Sequence, residues 1–197
     1  MPNIIVTEPA TEPITTAEAK QHMRVTLENT ANDTLIDTYK KAARVNIELI
    51  TGVKLITQTW KMTLPEFPSA DYINLKYSPI ISIDEIKTID ADDTEAVFAA
   101  TEYKTDLISI PAQIKLNADA SWTVPSAGYR TVNGVEISYK AGYGAAAVVP
   151  EPFKLAIKLL TAHFYENRES TTMLTINELP MGVAAIIEPY RTWQRQI

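Results

Sequence analysis

The stretch "LLTAHFYENRES", residues 159–170, holds the densest group of chemically capable side chains in this sequence. At helical spacing Glu166 lies three residues and Asn167 four residues after His163, so the three share one face. A histidine and a carboxylate on one face form one edge of a metal site. A metal needs more ligands, and the only other histidine is His22. We therefore expect His163 to be a core histidine on an apolar stripe and expect no metal ligand or catalytic residue here.

Two other stretches resemble ligand-binding loops without completing one. "DADDTE", residues 90–95, offers carboxylates to a hard cation but lacks the glycine and distant glutamate of a calcium loop. We expect a solvated hairpin turn there. Gly142 and Gly144 are not followed by the lysine and hydroxyl residue of a phosphate loop, so we expect them to turn the chain from a strand toward a helix. No G-x-S-x-G occurs, and no cysteine, which excludes disulfides and thiolate chemistry. The sequence predicts neither an enzyme nor a cofactor.

The composition and net charge further restrict the class of protein that this sequence can encode. The chain has 197 residues, 46% of them apolar, which is enough for one domain or one domain carrying an insertion. Its net charge of −6 disfavours a firm grip on phosphate backbones. The N-terminus lacks a basic start and a long apolar run, and no segment approaches about 18 continuous apolar residues. We expect a soluble protein made in the cytoplasm, with no signal peptide and no membrane span.

Helical periodicity occurs near both ends of the chain. Thr15 and Glu18 have the spacing of a capping box, and Asn32 and Gly52 suit the beginning and the end of a second helix. Pro150 suits the first turn of a third helix. The apolar spacing predicts four helices, at residues 16–25, 32–51, 150–168 and 181–188.

Between the second and third helices the period changes to two. Six short runs rich in β-branched and aromatic residues lie between residues 55 and 143, with no helix-length pattern between them to cross over a parallel sheet. We predict an α+β fold, a helical bundle with an inserted antiparallel β-sandwich or barrel-like module. The predicted parts are an extended arm (1–14), a helical ring-forming unit (15–54 and 148–188), the β module (55–147) and a C-terminal tail (189–197). The arm is either a frayed terminus or a segment that lies on a neighbouring chain.

Five pieces, in this order, resemble a known family. They are "ITTAEAKQHMRV", "DTLIDTYKKAARVNIELITGVKLITQTW", a β region ending in "VEISYKAGYG", "VPEPFKLAIKLLTAHFYENRE" and "LPMGVAAIIEPYR". The order and the gaps are similar to those of the head–tail connector (neck adaptor) proteins of tailed double-stranded DNA phages, prophages and gene transfer agents. The most specific pieces are "TGVKLITQTW", "AHFYENRE" and the terminal "LPMGV…PYR".

The resemblance implies a structural, non-enzymatic protein of the virion neck. Such proteins form a ring beneath the portal, usually of twelve copies, which extends the DNA channel and provides a platform for the stopper or tail-completion protein. Double-stranded DNA passes through the lumen without sequence-specific binding. In the family the C-terminal segment reaches the portal, which on this chain implies the docking residues Tyr190, Arg191, Trp193 and Arg195. Deleting residues 189–197 should then abolish portal attachment while the monomer still folds.

A closed ring requires two different complementary faces on each subunit. We expect Leu159, Leu160 and Phe164 to join His163 in the core, whereas the end of the third helix is expected to face another copy. The subunit-interface candidates there are Tyr165, Glu166, Arg168 and Glu169. The acidity of the chain further suggests a lumen rich in Asp and Glu, along which DNA slides without sticking.

Two other readings compete with the adaptor. One is a β-sandwich virion module that binds carbohydrate or protein without forming a ring. The other is an enzyme that uses the edge formed by His163, Glu166 and Glu169. Affinity for glycans would favour the first, and metal retained through dialysis would favour the second.

Overall fold

The computed structural model describes residues 2–168 and 180–191 of the chain. Within these ranges the backbone has a mixed α+β fold, with four helices and two antiparallel sheets. The helices are α1 (Thr16–His22), α2 (Asp33–Thr51), α3 (Glu151–Glu166) and α4 (Met181–Ile187). The strands are β1 (Asn3–Thr7), β2 (Gln58–Leu64), β3 (Tyr72–Asn74), β4 (Ile80–Ile89), β5 (Glu95–Val97), β6 (Tyr103–Asp106), β7 (Gln113–Leu116) and β8 (Val135–Ala141). The expected α+β class is confirmed.

Helix α1 begins as its sequence predicts and ends earlier. The Glu18 N–H donates to Thr15 Oγ1 (3.1 Å) and the Thr15 N–H donates to Glu18 Oε2 (2.7 Å), so the capping box is complete. The predicted helix at 16–25 stops at His22. Arg24 has a φ of 58°, in the left-handed region, and a continuing right-handed helix cannot contain that conformation.

Helix α2 has both of its predicted cap residues, Asn32 and Gly52. Gly52 adopts a left-handed φ of 72° at the C-terminal end, where its N–H donates to the Glu48 carbonyl. Asn32 occupies the N-cap position, but its side chain makes no capping hydrogen bond. Its Nδ2 donates instead to the Tyr165 hydroxyl at 3.1 Å. Asn32 is therefore the N-cap residue, as predicted, without the side-chain hydrogen bond that such a cap commonly makes.

The two sheets have non-sequential strand orders. The five-stranded sheet runs β1–β2–β8–β4–β5 and the three-stranded sheet runs β3–β7–β6. Strand β8 is central in the larger sheet, paired with β2 on one side and with β4 on the other. The pairing with β2 is regular from Gln58↔Ala141 to Leu64↔Val135, whereas the pairing with β4 contains two register shifts. Each of the six predicted runs contains one of these strands.

One apolar cluster contains residues of both sheets. Alternate residues of β8 are buried, namely Val135, Ile137, Tyr139 and Ala141, as the period of a half-buried strand requires. Ile73 of β3 and Ile114 of β7 belong to the same cluster. The Tyr139 hydroxyl donates to Asn3 Oδ1 at 2.9 Å. Burial raises the pKa of Tyr139 above its ordinary value.

The arm expected at residues 1–14 contains strand β1, which pairs with β2 of the same chain. This segment is therefore an edge of the chain's own sheet. One face of β1 stays accessible, since the side chains of Ile4 and Val6 are exposed. Later in the arm, Ile14 is buried.

The described residues divide into two compact units. The β unit consists of residues 2–9 and 57–143, and the helical unit of 10–56, 144–168 and 180–191. Within the helical unit α3 packs against α1, α2 and α4. The buried apolar residues of its two long helices are Ile36, Ala43, Ile47, Phe153, Ala156, Ile157 and Leu160.

Candidate functional site

The end of α3 is an ordered polar structure. The Arg168 guanidinium lies 4.6 Å from the centre of the Tyr165 ring, and Arg168 Nε donates to the Tyr165 carbonyl at 3.2 Å. Tyr165 also accepts from Asn32 at the start of α2. Tyr165 is half-buried, while Glu166 and Arg168 are exposed. Three of the four predicted interface residues thus share one helix end, and Glu169 lies outside the described residues.

His163 is exposed, so its predicted place in the core was wrong. Leu160, three residues earlier, is buried, and Phe164 is half-buried against Tyr39 with ring centres 6.2 Å apart. The packed face of α3 therefore turns away from His163. Asn167 Nδ2 lies 3.3 Å from His163 Nδ1 and donates to the His163 carbonyl at 2.9 Å. Across residues 2–168 and 180–191, no group of three or more histidine or acidic residues is arranged to hold a metal.

Both loops singled out in the sequence are turns. The carboxylate of Asp90 accepts from the N–H groups of Asp92 (2.9 Å) and Thr94 (2.8 Å) between β4 and β5. Asp93 has a φ of 61° and lies 3.3 Å from Arg130. This confirms the exposed hairpin turn. Gly142 and Gly144 have φ values of 133° and 120° and follow β8, which confirms their predicted role in turning the chain.

A buried charged cluster lies along α2 in the helical unit. Arg44 is 3% exposed, and its Nε donates to Glu12 Oε2 at 2.8 Å. Arg44 Nη1 reaches Glu48, whose carboxylate also accepts from Lys54 (3.4 Å) and from the Leu55 N–H (3.0 Å). Burial alone would lower the pKa of Arg44, but the hydrogen bond to Glu12 and the charge of Glu48 raise it above its ordinary value.

Sequence reasoning missed this cluster. Lys40, Arg44 and Glu48 are spaced four residues apart on the buried side of α2, beside the apolar stripe. That spacing could have indicated a buried charged cluster. Three charged residues beside an apolar stripe are close to the core, and buried charges require partners. The partner Glu12 is 32 residues from Arg44, so local spacing does not identify it.

A groove of about 690 Å³ is lined by residues of α3, of α4 and of the short turn that follows α4. Its apolar lining comes from Pro152, Leu155, Ile186, Pro189 and Tyr190, and its charged lining from Glu151 and Lys158. The Tyr190 ring packs against Phe153 with ring centres 4.7 Å apart, which holds the chain against α3 just before the tail. Arg191 pairs with Glu188 at 3.2 Å. The predicted docking residues Trp193 and Arg195 lie outside the described residues.

No helix within the described ranges has the length and apolar character needed to cross a membrane. No protein-family model matches the chain, and no curated protein matches it. Solved structures do match it over nearly its whole length. Matching chains belong to virion necks and to a virion, so the fold and these matches support a structural component of a virion neck.

The particular matches come from gene transfer agent (GTA) particles. A chain in the neck of an empty GTA particle, computed with C6 symmetry, has a TM-score of 0.82. A chain in the virion of a native GTA particle has a TM-score of 0.79, and one in a native GTA neck computed with C12 symmetry has 0.77. In each case 26% of residues are identical, with coverage of 98% of this chain and 96% of the other.

Proposed function

We propose that this protein is a head–tail adaptor that forms a ring beneath the portal, extends the DNA channel, and joins the head to the stopper or tail. The observation that carries the proposal is the match, at TM-scores of 0.77 to 0.82, over 98% of the chain to GTA neck and virion structures. The C12 symmetry of one matching neck supports twelve copies. A second virion role, as a carbohydrate- or protein-binding module without a ring, gains no comparable support.

In this proposal the helical unit is a bundle that builds the ring wall, and the β unit is an inserted sandwich-like module. The division into two compact units, with the β unit formed largely by residues between α2 and α3, supports this assignment. Residues 1–14 then connect the two units, since β1 pairs within the β unit and Ile14 is buried in the helical unit.

The C-terminal tail is proposed to dock on the portal through Tyr190, Arg191, Trp193 and Arg195. Contact between Tyr190 and Phe153 supports this role, because it holds the start of the tail on α3. A second contact is proposed between neighbouring copies in the ring. The register of that contact is set by Tyr165, Glu166, Arg168 and Glu169. The Arg168–Tyr165 contact supports it by fixing the guanidinium in one orientation. Surface pairs of this type contribute only about 0–1 kcal/mol each, so they orient neighbours more than they bind them.

The net charge of −6 supports a lumen with few basic residues, past which DNA moves without the counterion release that would make it stick. A reconstruction of the ring shows directly which side chains line the channel. A lumen lined mainly by Lys and Arg would contradict this part of the proposal.

The test is to mix the full-length chain with its portal and to measure the mass of the assembly under native conditions. We expect one portal carrying a ring of twelve copies. Truncation after Arg191 should abolish attachment and leave the melting temperature unchanged, because the cut spares the Tyr190–Phe153 contact. A deletion that begins at Pro189 would remove part of the groove as well. Full attachment by the truncated chain would refute the docking role, and binding without a ring would refute the adaptor.

A further inference from the structure

Helix α2 presents an exposed stripe opposite its buried face. Residues 34, 38, 41, 45 and 49 are spaced three or four apart and are all exposed. Leu49 is 74% exposed and Val45 38% exposed, so the C-terminal half of the stripe is an apolar ridge. By the rise of an α-helix the whole stripe is about 22 Å long. Lys41 lies one turn before Val45, and the stripe contains no carboxylate.

A concave apolar surface lies elsewhere on the same unit. The groove between α3 and α4 is lined by Leu155, which is 45% exposed, and by Ile186, Pro189 and Tyr190. Glu151 contributes to its lining, with a side chain 80% exposed. The ridge is thus apolar with Lys41 at one end, and the groove is apolar with Glu151 and Lys158 among its lining residues.

The helix packing puts the ridge and the groove on different sides of the helical unit. Helix α3 packs against the buried face of α2, and α4 packs against α3 rather than closely against α2. The ridge points away from α2's buried face, so a chain cannot fill its own groove with its own ridge. Two different complementary faces on different sides of one subunit are what a head-to-tail contact requires.

We infer that the occupant of the groove is a second copy of this chain, whose α2 ridge at Val45 and Leu49 packs between α3 and α4 with Lys41 facing Glu151. The inference deepens the proposed ring and rests on it. Side chains that fill well-packed, desolvated pockets near the centre of an interface carry most of its binding energy. Truncating one of them, by Leu49→Ala, should raise the concentration needed for half-maximal ring formation by about tenfold or more.

Cysteine crosslinking tests the contact directly, because the natural chain contains no cysteine. Leu49→Cys and Leu155→Cys variants are assembled together on the portal and oxidised. We expect a disulfide dimer containing one copy of each variant, and none from either variant alone. A chain carrying both substitutions should give a ladder of covalent oligomers. A dimer of two Leu49→Cys chains would show a two-fold contact and overturn the inference, as would the absence of any crosslink.

Matched controls separate the contact from collision and from misfolding. Ile108→Cys, at a site 94% exposed in the β unit, should not crosslink to Leu155→Cys, and an equal yield would overturn the inference. Leu49→Glu should prevent ring formation at an unchanged melting temperature. Leu27→Glu, at a site 56% exposed in the same unit, should form the ring normally. If the unmodified chain forms its ring and Leu49→Glu does too, only this interface is refuted. If the unmodified chain forms no ring, the proposed function fails with it.

Discussion

Replacing Arg44 by methionine tests the buried charged cluster of the helical unit. Methionine retains much of the aliphatic volume and removes the guanidinium that bonds Glu12 and Glu48. Glu48 is 3% exposed and keeps two donors, the Lys54 ammonium and the Leu55 N–H. Glu12 is less buried, so most of the cost should come from Glu48.

The expected loss follows from that geometry. Removing one partner of a buried ion pair costs about 3–5 kcal/mol, because the remaining charge is left in a poorly solvated site. Since Glu48 keeps two of its donors, we expect the lower limit, about 3 kcal/mol. For a chain of this size each kcal/mol shifts the melting temperature by about 2–4 °C, so the expected decrease is about 6–12 °C.

Urea unfolding and calorimetry of both variants measure this change. Lys154→Met is the control in the same unit, because its partner Glu151 has a side chain 80% exposed and the pair should contribute about 0.5 kcal/mol or less. Equal losses for Arg44→Met and Lys154→Met would refute the reasoning.

Three further predictions concern local structure. Gly134→Ala should destabilise the β unit by about 1–3 kcal/mol in thermal unfolding, because a Cβ there would clash with the Pro65 carbonyl oxygen. Gly182→Ala in α4 is the control, and it should be neutral or stabilise by up to about 1 kcal/mol because a Cβ there meets open space. Tyr139→Phe should cost about 1 kcal/mol in the same assay, since Asn3 Oδ1 loses its donor. The Thr15 N–H lowers the pKa of Glu18 below its ordinary 4.5, so this stabilisation is present above pH 4.5 and is lost as the pH falls through the lower folded-state value. Glu18→Gln should flatten that part of a stability-versus-pH curve, and an unchanged slope would contradict the assignment.

The helices were predictable because their signals are local. The capping box at Thr15 and Glu18 and the left-handed Gly52 involve residues within one or two turns. The missing capping bond of Asn32 and the exposed position of His163 were not predictable, because they depend on surroundings that are not local. The Asn32 side-chain amide donates to Tyr165, 133 positions away, and no element within the described residues buries His163.

The strands were predictable as segments, and their order was not. Alternation identifies a strand and its buried face, but which strands are neighbours depends on pairing between distant segments. Two strands escaped prediction altogether. Strand β1 lies in a stretch with Pro2 and Pro9 close by, and β5 has only three residues. The candidate interface could not be predicted from the sequence for the same reason. The apolar ridge on α2 and the groove on α3 are recognisable only once the helix packing is known.

The central position of β8 has a consequence for how the protein is made. Strands β2 and β4 leave the ribosome well before β8, yet each pairs along β8 and not with the other. Until β8 is synthesised, β2 and β4 therefore each have one edge without its backbone hydrogen-bond partner. Helix α2 lacks its packing partner for longer, because α3 begins ten residues after the end of β8. A nascent chain that stops short of residue 141 can complete neither unit. Chains that stop before residue 141 are thus unavailable for incorporation and are left to chaperones and proteases.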